Sequence, residues 1–233
     1  NIVALTSSVP MYWAEVNEHV YFNNGTDSGV ILPDNTVLPW RWATPSEPAL
    51  AAVSGALAAG TYQVLCTHLL ADGRETGAGD VAALELTEGQ ALQISGIPQR
   101  AGVRTNIYIA PANSDVFQLY ATAGATALVF NASPDTLGRD LLNAFLDPFP
   151  AGSEAIQFWG GRAYAAQYMP SENQTAVWFS EALGYHLFNL NSNFILVPGK
   201  VEMLAPHESA LLIGTDARVF AYDGQKLVVL ADY

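Results

Sequence analysis

The chain has 233 residues, enough for one large or two ordinary domains with a substantial core. Hydrophobic residues make up 50% and charged ones only 13%, and 22 acidic against nine basic side chains leave a formal net charge of −13 at pH 7. A surface so acidic repels phosphates, which excludes broad nucleic-acid readout, and no apolar run of about 18 residues is present to cross a membrane as a helix.

Nineteen Gly, 13 Pro and abundant Thr, Val and Tyr favour strands and tight turns. The first segment, 1–45, reads as strands over 11–16 and 18–22 about a turn at Val16-Asn17-Glu18, with Asn23-Asn24-Gly25 as a second hairpin signal. Pro33, Pro39, Pro45 and Pro48 punctuate the next stretch, and 44–48 reads as a linker. The segment 46–133 then predicts seven short strands over 50–53, 60–70, 80–86, 91–94, 105–110, 117–123 and 127–130. Tyr62, Val64 and Cys66 alternate with Thr61, Gln63, Leu65 and Thr67, and Asp72-Gly73 supplies a turn. Seven strands in about ninety residues are the rhythm of an antiparallel sandwich. Over 135–146, Leu137, Leu141, Leu142 and Phe145 take helical spacing before Asp147-Pro148, predicting a short helical connector. From 154 onward strands return over 155–159, 162–167, 176–180, 200–205, 210–214, 218–222 and 226–230. Val20-Tyr21-Phe22-Asn23 echoes Val177-Trp178-Phe179-Ser180, and weak self-similarity between strand meanders is a mark of β-propeller blades.

Cys66 is the single cysteine, so no internal disulfide or cysteine metal site can form, and its strand position predicts a buried small hydrophobe. The start at Asn1, Ile2 and Val3 has neither an initiator Met nor a signal pattern, and predicts a fragment or processed form. Sequons at Asn24, Asn131 and Asn173 read as polar turns.

Three stretches together carry a resemblance. They are Val20-Tyr21-Phe22-Asn23-Asn24-Gly25-Thr26-Asp27-Ser28-Gly29-Val30, the 60–79 stretch, and Val177-Trp178-Phe179-Ser180-Glu181-Ala182-Leu183-Gly184-Tyr185. In these the chain resembles bacteriophage virion proteins, in or near the tail, that combine propeller-like blades with an inserted fibronectin-III-like or immunoglobulin-like domain. The resemblance implies an all-β fold with an antiparallel sandwich over 46–133, inserted between blades in 1–45 and 134–233. It also implies a structural role in a tail or tail-to-head connection, assembly into a homo-oligomeric ring with other virion subunits, and a place in the virion after assembly in the host cytoplasm.

Catalytic patterns are not found. His19, His68, His186 and His207 are scattered and read as surface or rim residues, without metal-ligand spacing. No Gly-x-Ser-x-Gly elbow, nucleotide-binding glycine motif or calcium loop occurs. Three carboxylate pairs are open to a glycosidase reading: Glu15 with Glu18, Asp72 with Glu75, and Glu202 with Glu208. Strand alternation separates the first pair, and one turn holds the second. No cofactor, metal or enzyme activity is therefore expected. The aromatics outside 46–133 are the better candidates. Trp40, Trp42, Trp159, Trp178 and Tyr185 read as interface or glycan-stacking residues, with the Trp40-Arg41-Trp42 step as the leading surface site. A carbohydrate-binding or glycosidase module acting on a host surface glycan is thus the rival to the assembly reading, and a secreted adhesin domain a third.

Overall fold

A computed structural model describes residues 4–232; Asn1, Ile2 and Val3, on which the fragment expectation rests, lie outside them. The described residues form antiparallel sheets with no α-helix, and these divide into two compact units, Ala43–Leu146 and Asn1–Trp42 with Asp147–Tyr233.

The Ala43–Leu146 unit contains β5 (Ala49–Leu57), β6 (Gly60–Leu69), β7 (Ala82–Leu86), β8 (Gln90–Ser95), β9 (Arg104–Ala110), β10 (Gln118–Ala123) and β11 (Ala127–Phe130). They pair as a four-stranded sheet, β10-β9-β6-β7, and a three-stranded sheet, β11-β8-β5. Alternation sends Tyr62, Val64 and Cys66 from β6 and Ile107 and Ile109 from β9 into one core with Leu92, Ile94 and Phe130. The result is sandwich-like, with both inner faces apolar.

The helix expected over 135–146 does not form. Pro134–Thr136 makes a single 3-10 turn, and the chain then runs extended along β10. Gly138 N–H donates to Leu119 O at 2.8 Å, Leu119 N–H to Arg139 O at 2.9 Å, and Leu141 N–H to Phe117 O at 2.9 Å. Gly138 weakens a helix there, and the free edge of β10 offers its backbone groups partners. Of the residues expected to form a helical stripe, Leu137 packs on the sandwich core, whereas Leu142 (86%) and Phe145 (82%) are exposed. The segment therefore belongs to the sandwich unit, whose limits fall at 43 and 146 rather than 46 and 133.

The other unit is built from three sheets. The first is β1 (Tyr12–Val16), β2 (His19–Asn23), β3 (Ser28–Ile31) and β4 (Val37–Leu38), in that order. Asn17 and Glu18 both take positive φ, 52° and 63°, the two-residue hairpin turn whose twist suits the strands it joins. The second is β12 (Ile156–Trp159), β13 (Arg162–Met169), β14 (Gln174–Glu181) and β15 (Gly184–Phe188), with β16 (Phe194–Pro198) also paired to β14. The third is β17 (Val201–Pro206), β18 (Leu211–Thr215), β19 (Arg218–Tyr222) and β20 (Leu227–Asp232).

The second sheet is covered on both faces. Ile156, Ala163 and Ala165 meet Ala14, Tyr21 and Val30 of the first sheet, while Tyr164, Ala166 and Val177 meet Leu211, Ile213 and Phe220 of the third. That is why Ala163, Tyr164, Ala165 and Ala166 are consecutively buried, where a half-exposed strand would alternate. The first strands of the three sheets lie side by side, β1 beside β12 and β12 beside β17. The described residues close no barrel and no propeller.

Candidate functional site

The aromatic candidates fall in different places. Trp40 is 0% exposed: its ring stacks on Phe149 with centroids 4.0 Å apart, and its Nε1–H donates to Tyr185 O at 2.8 Å. This corrects the expectation that the Trp40-Arg41-Trp42 step is a surface site, because Trp40 fills the core between the first and second sheets. Tyr185 joins the same cluster through Phe158 (5.0 Å) and Tyr21 (6.3 Å), and Trp178 packs against it while its Nε1–H donates to Gln167 Oε1 at 3.0 Å. Trp159 lies with the other core, its ring near Tyr164 and Tyr222 and its Nε1–H on His207 O at 2.7 Å. Trp42, half-buried, donates to Pro39 O at 2.9 Å. Three of the five candidates thus share one aromatic core; Trp159 lies in the other, and Trp42 is in neither. A sugar platform needs an open ring face, and Trp40 offers none.

Trp13 is not among the five sequence candidates, yet it is the exposed tryptophan, at 52%. The alternation of β1 carries the signal: Tyr12, Ala14 and Val16 pack inward, so Trp13 must point to the opposite face.

Asp72 and Glu75, one of the carboxylate pairs singled out in the sequence, are each held by other groups. Asp72 is engaged by Arg74 at 2.7 Å. Glu75, 13% exposed, accepts hydrogen bonds from Thr67 Oγ1, Asn106 Nδ2 (2.8 Å), Tyr108 Oη (2.8 Å) and Arg139 Nη2 (2.5 Å). Burial pushes the Glu75 carboxyl up, but the four donors outweigh it and hold the group below the ordinary glutamate value. A carboxylate so saturated is a structural tie between β6, β9 and the 134–146 segment. His68, expected at a rim, is instead 4% exposed beside Thr105, and burial lowers its pKa. Cys66 is fully buried, its thiol pushed up to about 12, which makes it inert at neutral pH. Among the described residues no group of three His, Cys, Asp or Glu is placed to hold a metal. A hollow of about 630 Å³ beside β5 is lined by Gly55, Ala56, Leu57, Ala58 and Ala59 with Glu88 and Gly89, a wall with a single carboxylate. No helix among the described residues is long and apolar enough to cross a membrane.

The sequons are turn elements. Asn24 Oδ1 accepts from Thr26 and Asp27 N–H, Asn131 Oδ1 from Ala56 N–H, and Asn173 Oδ1 from Tyr168 Oη.

What is left with chemical character is surface. The outer face of the third sheet carries two apolar rows, Ala205, Leu212, Ala221 and Val228 beside Met203, Gly214, Val219 and Ala231, with Glu202 exposed at the β17 bulge, whereas Phe22, on the outer face of the first sheet, is only 3% exposed. Compared with protein families, curated proteins and solved structures, the chain matches none.

Proposed function

We propose that this chain is a structural component of a bacteriophage tail or tail-to-head connection, working through subunit assembly rather than catalysis. The observation that carries the reading is the stack of three antiparallel sheets with their first strands side by side. Successive meander sheets with adjoining first strands are how propeller blades are set around an axis, and three of them span only part of a ring. The sandwich unit supports the inserted immunoglobulin-like or fibronectin-III-like domain. With β5, β6, β8, β9 and β10 taken as strands B, C, E, F and G, the pairs B–E and C–F–G are those of that fold, and β7 takes the C′ edge. β11 departs from it, following G yet flanking E.

The test is localisation on particles. Purified virions encoding this sequence, labelled with a gold-tagged antibody, are expected to carry label on the tail or at its junction with the head. Recovery of the protein only in the free fraction of the lysate overturns the reading.

A further inference from the structure

A bare sheet edge offers its unpaired backbone groups to any strand that meets it, and folded chains blunt such edges. Most edges here are blunted. In the three-sheet unit the first strands β1, β12 and β17 lie side by side, β4 is two residues long, and β16 ends in Pro198. β15 is closed at Phe188 by its bridge to Asp147, and β20 bulges at Leu230, which has no paired residue. In the sandwich unit residues 138–141 cover the edge of β10, β11 is four residues long, and β7 carries an exposed Glu85.

β5 has none of these devices over its regular run. Ala49–Leu57 reads Ala-Leu-Ala-Ala-Val-Ser-Gly-Ala-Leu, without charge or proline, and pairs only with β8. The ladder is regular from Ala49 to Ser54 and shifts only beyond it. Gly55 N–H donates to Gly89 O at 2.9 Å, which sets the phase of the strand. Ala49, Ala51 and Val53 turn their backbone groups to β8; Leu50, Ala52 and Ser54 turn theirs away. Among the described residues nothing hydrogen-bonds to those outward groups. β7 runs alongside, yet it pairs only with β6. Leu50 pairs with Ile94 and Ala52 with Leu92, so the even-numbered side chains lie on the core face; Leu50 packs there, but Ala52 and Ser54 are exposed. The facing sheet stops short of this edge.

We infer that β5 pairs antiparallel with β5 of a second copy, about a two-fold axis at Ala52. Backbone groups at strand spacing specify an extended strand as the occupant. Two observations make it the same strand. The run is its own complement: the outward residues are centred on Ala52, so the axis sets Ala52 against its twin, Leu50 against Ser54 and Ala51 against Val53. About six ladder hydrogen bonds then form, with no two bulky side chains opposed. Charge selects the same place, because copies carrying −13 repel each other and this strand adds no charge of its own. The contact is isologous, joins the β11-β8-β5 sheets of two copies into one, and closes at a dimer. It goes beyond the proposed assembly through stacked sheets and does not rest on it.

The experiment uses the full chain. Light scattering over a concentration series is expected to show association, and Ala52→Pro to give half the parent's mass at equal concentration. The proline removes the central outward N–H and puts ring carbons in its place, while the ladder to β8 loses nothing. The dissociation constant is expected to rise about 100-fold or more, with circular dichroism and Cys66 labelling unchanged. Disulfide trapping reads the same geometry without a proline. Twin residues on the axis lie about 5.5 Å apart at Cα, within the span of a disulfide, and Cys66 is buried. Ala52→Cys is expected to give a covalent dimer on a non-reducing gel, and Ala125→Cys, exposed in the turn before β11, to stay monomeric. If Ala52→Pro exposes Cys66, the trap alone decides. A mass that a folded Ala52→Pro leaves unchanged, or an Ala52→Cys variant that cross-links no faster than Ala125→Cys, overturns the β5 pairing and leaves the assembly reading standing. A parent chain that is monomeric at every concentration overturns the pairing and counts against the assembly reading too.

Discussion

At Glu75 one carboxylate serves four donors drawn from three segments: Thr67 on β6, Asn106 and Tyr108 on β9, and Arg139 in the extended stretch. Removing it leaves three mostly buried donors without an acceptor and one arginine without its ion partner. Glu75→Ala is expected to cost the sandwich unit about 3–5 kcal/mol, whereas Glu75→Gln retains an acceptor and costs less. The unit carries its own reporter, because the single cysteine lies in its core: the rate of Cys66 labelling by a thiol reagent under native conditions measures opening there. It is expected to rise more than tenfold in Glu75→Ala and to leave the tryptophan signal unmoved. The same carboxylate sets a pH dependence. Its folded pKa lies below the ordinary 4.5, so the unfolded chain takes up the proton first as pH falls. The stability it contributes is whole above 4.5 and is lost as pH drops through the lowered folded value. Urea midpoints followed by Cys66 reaction with a dithiodipyridine, a reagent that stays reactive towards thiols in acid, are expected to fall over that acid range in the parent and to flatten in Glu75→Gln; equal slopes would remove Glu75 from the account.

Between residue and molecule, the elements show what local pattern specifies. In β2 and β3, the Phe22 ring lies over Gly29, its paired residue, and a Cβ on Gly29 would sit 2.5 Å from Phe22 Cζ. Gly29→Ala must displace that ring and is expected to destabilise the three-sheet unit by about 1–3 kcal/mol, read as a lowered urea midpoint of tryptophan fluorescence. An unchanged midpoint would mean that the ring swings aside freely. The strands of the sandwich are legible in the sequence because each alternates and is stopped by Gly, Asn or Pro, so β5 to β11 fall within a few residues of their expected places. β3, β4, β15 and β16 are not, for physical reasons. β4 is two residues long, and β15 and β16 both pair with β14, a choice of partner that period alone cannot express. Over 134–146 the helical spacing of leucines is outweighed by the edge of β10 and by Gly138. At the candidate site the sequence shows that the aromatics cluster outside the sandwich, but not which face each ring takes. Trp40 lies outside any strand, so no alternation assigns it to the core.

Over the whole molecule, the sandwich is an insertion whose two ends meet. Within that unit, the ideal Cβ position of Gly77 lies 1.7 Å from Leu146 O and 3.4 Å from Thr44 Cγ2, so the chain enters and leaves at one point. The other unit matches this within itself, since Arg41 Nε donates to Phe149 O at 3.2 Å. Closely spaced ends are the condition for an insertion that its host tolerates losing. Each unit also has a hydrophobic core of its own, from Tyr62 to Phe130 in one and from Ala14 to Tyr222 in the other. Replacing residues 43–146 by a short Gly-Ser linker is therefore expected to leave the three-sheet unit folded. All five tryptophans, Trp13, Trp40, Trp42, Trp159 and Trp178, lie in that unit, so their emission reports it without interference. The shortened chain is expected to keep the parent's emission maximum, unfold cooperatively in urea with a midpoint close to the parent's, and still form an oligomer by light scattering, lacking only the β5 pairing, because the stacked sheets of the proposed assembly remain. A red-shifted emission would show that the sheets need the sandwich to fold. A folded but monomeric product would move the assembly surface onto residues 43–146, where Leu142 and Phe145 stand exposed.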